Sequence, residues 1–375
     1  MIYLDYNATT PVAPEVAAAM QPFLGPEFGN PSCDYPLGLR ARDAMHQARS
    51  EVAATLNCAP DEIVFTSGAT EANNLVLKGA ALSRGRGRII TAITEHPAVL
   101  NPCLFLDSLG FKLTILPVDS QGLVDPDAVR RALTPDTILI SIMHSNNETG
   151  ALAPLMEIAN IARAAEIPLH TDAAQSVGKV KVDVDELQVD FLTVAGHKFY
   201  APKGVGALYV RRGRELTPLL HGASQEGGRR GGTENLPYIT ALGTACRLAR
   251  EGLETNYAHL KSLRDLLFEA LRAGFPSLIL NGPGAARLPN TLNVAFPGIS
   301  GAELMAGVPE VAASLGAACH AGRETVSPVL AAMGLTPEVA RGAVRFSVGR
   351  PTTRVEVAEA AALILQQARA LARKK

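Results

Sequence analysis

Between residues 62 and 212 seven short apolar runs, rich in β-branched residues, are spaced by stretches of helical character. They read EIVFTS, RIITAIT, KLTILPV, TILISIMHS, PLHTDAA, DFLTVAG and GALYVRR. Short strands alternating with helices predict an α/β fold with a mostly parallel sheet covered on both faces. PEVAAAMQPFL, ARDAMHQARSEVAATLN and PLMEIANIARAAE carry the helical spacing. From about Asn235, a long stretch through TALGTACRLAREGLETNYAHLKSLRDLLFEALRAG reads as the helical connection into a second, smaller α+β unit. NTLNVAF, VRFSVG and the closing helix EVAEAAALILQQARALARKK would build that unit. A chain of 375 residues suits such a two-part plan. The expected division is an N-terminal arm at 1–14 joining the small domain, a large domain at 15–255, and a small domain at 256–375 carrying a cysteine loop.

Charge and cysteine usage narrow the function. A net charge of −1 argues against nucleic acid as partner. No apolar run reaches membrane-spanning length. The opening MIYLDYNATTPVAPEV lacks a basic leader with an apolar core, so no secretion signal is expected. Five cysteines at 33, 58, 103, 246 and 319, with no CxxC pair, argue against a disulfide framework and a structural zinc site. Free thiols point to a reducing, cytoplasmic setting, and no metal ligand set is expected.

Residues with chemical character stand where the strands end. Thr66-Ser-Gly-Ala-Thr-Glu-Ala-Asn-Asn74 follows a strand and opens a helix, offering free N–H groups and a favourable dipole to a phosphate. It reads equally as an ordinary cap with Ser67 or Thr70 as capping oxygen. Asp172, in Leu169-His-Thr-Asp172-Ala-Ala-Gln175, is either an N-cap or a carboxylate for a cofactor's ring nitrogen. Lys198 ends DFLTVAGHK, where a lone lysine is usually a surface charge. The ordered set is more telling than its members. A phosphate-binding helix start, a strand-end aspartate and a strand-end lysine are what pyridoxal 5'-phosphate needs, the lysine forming an imine and the aspartate keeping the pyridine nitrogen protonated. His96, in Thr94-Glu-His96-Pro, could stack on such a ring. Asn147, in Asn146-Asn147-Glu-Thr-Gly150, is a plain turn residue or a contact to cofactor or substrate. Cys319 lies among small residues in Ser314-Leu-Gly-Ala-Ala-Cys319-His, suiting a thiol on a loop as well as a buried one. Arg345 could grip a carboxylate or be a surface charge.

Together these segments resemble the class V aminotransferase group of fold-type I pyridoxal phosphate enzymes, and within it the cysteine desulfurases and selenocysteine lyases. The likeness runs through YLDYNATTP, FGNPS, FTSGATEANN, TEHPAV, SNNETG, HTDAAQSVGK, GHKFYAPKGVGALYVRR, GGRRGGTEN, GAACHAG and RFSVGR. The resemblance implies a seven-stranded large-domain sheet and a homodimer. It makes Lys198 the lysine joined to the cofactor and Asp172 the partner of the ring nitrogen. Gln175 would contact the ring oxygen and His96 would stack on the ring. Thr70 and His197 would hold the phosphate, with Thr233 reaching across from a second subunit, and Ala69 would also contact the cofactor. Asn147, Asn30 and Arg345 would orient the substrate's carboxylate, and Cys319 would take up sulfur or assist selenium removal. The implied substrates are L-cysteine or L-selenocysteine, giving L-alanine, with a sulfur or selenium acceptor protein as further partner.

The sequence departs from the desulfurase pattern at Ala195, where a phosphate-binding serine is common, at Tyr35, and in Ala317-Ala318-Cys319-His320. The GAACH form, Ala195 and Ser327-Pro-Val-Leu lean toward selenocysteine lyases. Two other readings stand beside these: another pyridoxal phosphate lyase or aminotransferase in which Cys319 is incidental, and a non-catalytic sulfur-transfer scaffold.

Overall fold

A computed structural model describes residues 1–315, 319–320, 323–324 and 326–373. The seven expected runs all form strands, at Ile63–Thr66, Arg88–Ala92, Lys112–Leu116, Thr137–Ser141, Leu169–Asp172, Phe191–Ala195 and Gly206–Val210. They make one sheet. Its order from one edge is Ile63–Thr66, Gly206–Val210, Phe191–Ala195, Leu169–Asp172, Thr137–Ser141, Arg88–Ala92 and Lys112–Leu116. Gly206–Val210 runs antiparallel to both neighbours, and every other pairing is parallel.

Alternation along the strands feeds two separate cores. Ile63, Phe65, Ile90, Ile140 and Leu192 point into one apolar layer. Val64, Ile89, Leu139, Phe191 and Leu208 point into the other. Helices Pro36–Leu56 and Leu236–Glu251 cover the first face. They approach so closely that a Cβ on Gly243 would lie 2.6 Å from Ala48 Cα. Helices Ala69–Arg84 and Pro97–Ser108 cover the second.

A smaller antiparallel sheet, ordered Ser314–Leu315, Ala343–Ser347, Thr291–Ala295 and Ile279–Leu280, has its own core. The long helical stretch is two helices, Leu236–Glu251 and Leu253–Gly274, meeting at Gly252. The second turns Leu260, Leu263, Leu267 and Leu271 into the smaller core, and residue 255 falls in its first turn. Closing helix Arg354–Ala372 packs there through Val357, Ala360, Ala361 and Ile364. Its start carries a capping box between Thr353 and Glu356.

The first residues of the chain join this smaller unit. Ile2–Tyr3 pairs in parallel with Val311–Ala312, Asp5 bridges to Ser347, and Ile2 and Leu4 are buried in the smaller core. Among the described residues no helix is long and apolar enough to cross a membrane.

Candidate active site

A cavity of about 560 Å³ lies at the end of the large sheet where Ile63–Thr66, Leu169–Asp172 and Phe191–Ala195 finish. Ligands in open α/β sheets lie outside the carboxyl ends of the strands. Nine of the expected site residues line this cavity: Ala69, Thr70, His96, Asn147, Asp172, Gln175, His197, Lys198 and Arg345. Asn30 and Thr233 do not. Asn30 is exposed and its side-chain oxygen accepts from the Ser32 N–H at 2.9 Å. Thr233 is exposed and outside the lining in its own chain. The Cys319 side chain lies outside the described residues; its backbone, Cys319–His320, pairs antiparallel with Arg323–Glu324.

Lys198 follows Phe191–Ala195 in a single 3-10 turn, Gly196–Lys198. Its Nζ donates to Asn7 O and Ala8 O, both at 2.8 Å. Burial is the main cause that lowers its pKa to about 8, and the Arg345 cation pushes the same way. Asp172 and Asp5 pull it back up. Asp172 is buried, with each oxygen held once: Asn73 Nδ2 donates to Oδ2 at 2.7 Å and the Ala174 N–H to Oδ1 at 2.9 Å. It therefore caps a turn rather than a helix, and its carboxylate also faces the cavity.

His96 is the N-cap of helix Pro97–Ser108, and its Nδ1 accepts from the Ala98 N–H at 3.0 Å. That bond makes Nδ1 an acceptor and leaves the ring proton on Nε2. Burial lowers its pKa, and so does the Lys198 cation, while Asp172 opposes them. His197 is pushed down to about 4, first by burial and then by Lys198, Lys203 and Lys179. Both rings are thus neutral near pH 7.

Helix Ala69–Arg84 opens on the cavity with Gly68 as its N-cap and no side-chain cap bond, so neither Ser67 nor Thr70 takes the capping role. Gly68 sits at φ +149°, and a Cβ there would meet nothing within 4 Å. Gly68, Ala69 and Thr70 at this uncapped start line the cavity, and a helix start of that kind suits an anion. Arg345 spans the small-sheet side of the cavity. Its Nη2 donates to Asp5 Oδ1 and Ser314 Oγ, both at 2.7 Å, and its Nη1 to Asn147 O at 2.9 Å. Its Nε is buried without a partner among the described residues.

Four contributors went unassigned in the sequence reading. Asn7 accepts at its carbonyl from both Gln175 Nε2 at 2.9 Å and Lys198. Asn73 holds Asp172. Lys179, buried, donates to Gln175 Oε1 at 2.7 Å. Glu95, fully buried, accepts from the Met143 N–H at 2.6 Å, and burial raises its pKa well above the usual carboxylic value. All four lie inside quoted motifs, YLDYNATTP, FTSGATEANN, HTDAAQSVGK and TEHPAV, but nothing local marks them.

A primary amine that deprotonates near neutrality, a fixed carboxylate and an uncapped helix start meet at one cavity. That donor set suits a phosphorylated aldehyde, and a fold of this type bearing it is that of a pyridoxal phosphate enzyme. The chain belongs to the family "Aminotransferase class-V", whose model matches residues 2–359. It is 46% identical over 360 residues to "Cysteine desulfurase IscS" of Dictyoglomus turgidum, covering 95% of this chain and 91% of that protein. To the protein of the same name from Methanosarcina thermophila it is 45% identical, covering 95% and 89%. Among solved structures, "NIFS-LIKE PROTEIN" superposes with a TM-score of 0.91 at 36% identity, covering 99% of both chains. "SspA in complex with cysteine" does so with a TM-score of 0.83 at 41% identity, covering 93% of this chain and 99% of the other.

Proposed function

We propose that this chain is a pyridoxal 5'-phosphate-dependent cysteine desulfurase, taking sulfur from L-cysteine and leaving L-alanine. The names of its relatives and the cysteine bound to one structural neighbour support the substrate. The observation that carries the reading is the Lys198 amine, lowered to about 8 beside Asp172 in one cavity. Bound there, the cofactor supplies an aldehyde that captures amines and a ring that draws electrons from the substrate's α-carbon.

The roles assigned to the chain's residues come from the family resemblance, and for Ala69, Thr70, His96, Asn147, Asp172, Gln175, His197, Lys198 and Arg345 a place in the cavity lining supports them. Lys198 Nζ would hold the cofactor through its aldehyde and would take the substrate's α-proton. Asp172 would pair with the ring nitrogen and keep it protonated. His96 would lie against the ring, and Gln175 would meet the ring oxygen. The Ala69 and Thr70 N–H groups, the Thr70 hydroxyl and His197 hold the phosphate, and Thr233 of a second copy completes that grip in a homodimer. Ala195 brings no hydroxyl, so one phosphate hydrogen bond common among desulfurases is missing, at about 1 kcal/mol. Arg345 and Asn147, with Asn30, orient the substrate's carboxylate. Cys319 takes up the sulfur as a persulfide and passes it to an acceptor protein, in a cytoplasmic setting. On this reading residues 1–14 act with the small domain, 256–375, and residues 15–255 hold the cofactor.

L-Selenocysteine is the second substrate reading, favoured by Ala195 and the Ala317-Ala318-Cys319-His320 run. Borohydride reduction followed by peptide mapping is expected to place the pyridoxyl group on residue 198; an adduct elsewhere would refute the assignment. Alanine release is then measured from both amino acids in wild type and Cys319→Ala. Loss on both in the variant identifies a desulfurase, whereas activity confined to selenocysteine identifies a lyase. An unchanged rate in the variant makes Cys319 incidental.

A further inference from the structure

Lys179 is a lysine with almost no contact with water, 5% exposed, in a protein whose proposed chemistry gives it no role. Its Nζ lies 2.7 Å from Gln175 Oε1 and 3.5 Å from Asn7 Oδ1. These are two acceptors, one for each N–H of a neutral amine; an ammonium's third N–H finds no further acceptor among the described residues. Burial pushes Lys179 well below the ordinary lysine value, and repulsion from Lys198 and Arg345 acts in the same direction.

The contact decides how Gln175 faces the cavity. An amide can be turned end for end, and its neighbours determine which end points where. Asn7 O can only accept, so the group 2.9 Å from it must be Gln175 Nε2. Gln175 Oε1 then turns to Lys179, which donates to it. The second N–H on Nε2 is left for the cavity that Gln175 lines. Asn7 O also receives Lys198 Nζ, so Lys179, Gln175, Asn7 and Lys198 form one continuous chain of hydrogen bonds.

We propose that Lys179 is a positioning residue: as a buried donor it locks the Gln175 amide so that an N–H, not a carbonyl, meets the oxygen on the cofactor ring. This rests on the reading of Gln175 as the ring-oxygen contact. Without Lys179, Gln175 Oε1 is left buried and unpaired, which favours turning or displacing the amide.

The test titrates cofactor-free protein with pyridoxal 5'-phosphate and with its 3-deoxy analogue, which lacks the ring oxygen. Lys179→Met fills the same space without a donor. It is expected to raise the dissociation constant for pyridoxal 5'-phosphate by up to about tenfold, the worth of one hydrogen bond. The constant for the analogue should stay unchanged. In a Gln175→Ala background the same substitution should add nothing. Equal weakening for both cofactors would show a merely structural role and overturn the proposal. So would no weakening in Lys179→Met where Gln175→Ala alone weakens the natural cofactor. If Gln175→Ala treats both cofactors as wild type does, the ring-oxygen reading itself fails and the proposal falls with it. Lys179→Leu gives the same comparison where Lys179→Met does not fold.

Discussion

The state of Lys198 before the cofactor arrives can be measured directly. Its pKa of about 8 lies well under the ordinary lysine value of about 10.4. At pH 7.5 that leaves about a quarter of the side chains as free amine, against roughly one in eight hundred for an unperturbed lysine, about a two-hundredfold difference. Three neighbours should tune this value in opposite senses. Arg345→Gln removes a repelling cation and frees Asp5 from its 2.7 Å ion pair, and both changes raise the midpoint. Asp172→Asn removes an attracting carboxylate and lowers it. The assay is competitive acetylation of cofactor-free protein across pH 6–11, with the residue 198 peptide quantified against a free amine standard. A wild-type midpoint near 10, or both variants moving the same way, would refute the electrostatic account. The sign also fixes a stability trend. The unfolded chain keeps this proton to about pH 10.4 while the folded chain releases it near 8, so the unfolded state binds more protons in between. The contribution of Lys198 is therefore unfavourable below pH 8 and is relieved as pH rises through that window.

Two other substitutions probe the frame around the site. Asn73→Ala removes a 2.7 Å hydrogen bond to the Asp172 carboxylate. The expected loss is about 1.5 kcal/mol, the low end for a bond to a charged group, because buried Asn73 Oδ1 has no partner and its removal relieves a cost; urea unfolding of cofactor-free protein measures it, and no loss would mean the carboxylate needs no such support. Gly206→Ala places a Cβ 2.5 Å from Val194 O and 2.8 Å from Gly68 Cα, both backbone atoms that cannot turn aside. It should weaken cofactor binding, because the displaced Gly68 heads the helix proposed to hold the phosphate; a lowered melting temperature with unaltered affinity would count against that helix as the phosphate site.

The seven large-sheet strands were legible because a buried sheet needs apolar, β-branched runs, and each such run is local in sequence. Lys198, Asp172 and the Thr66–Thr70 turn were legible because each ends a strand. The break at Gly252 was not, since helical spacing continues through it and one glycine is tolerated inside a helix. Asn7 and Lys179 were not legible either. Their partners lie up to 340 positions away, and no local pattern says which polar side chain a remote carbonyl will meet. The capping role of His96 was hidden for a different reason: a histidine before a proline reads as a turn, and only the fold shows Nδ1 turned to the Ala98 N–H.

Asn7 has a consequence for how the molecule is made. Its N–H donates to Ser347 Oγ, its side-chain nitrogen to Thr291 Oγ1, and its carbonyl receives Gln175 and Lys198. Asn7 is synthesised well before this partner, because Ser347 follows 340 positions later. A nascent chain can complete the large sheet and still lack the carbonyl against which its reactive lysine rests. The carbonyl that receives Lys198 Nζ is thus fully fixed only once segments 340 positions apart have met.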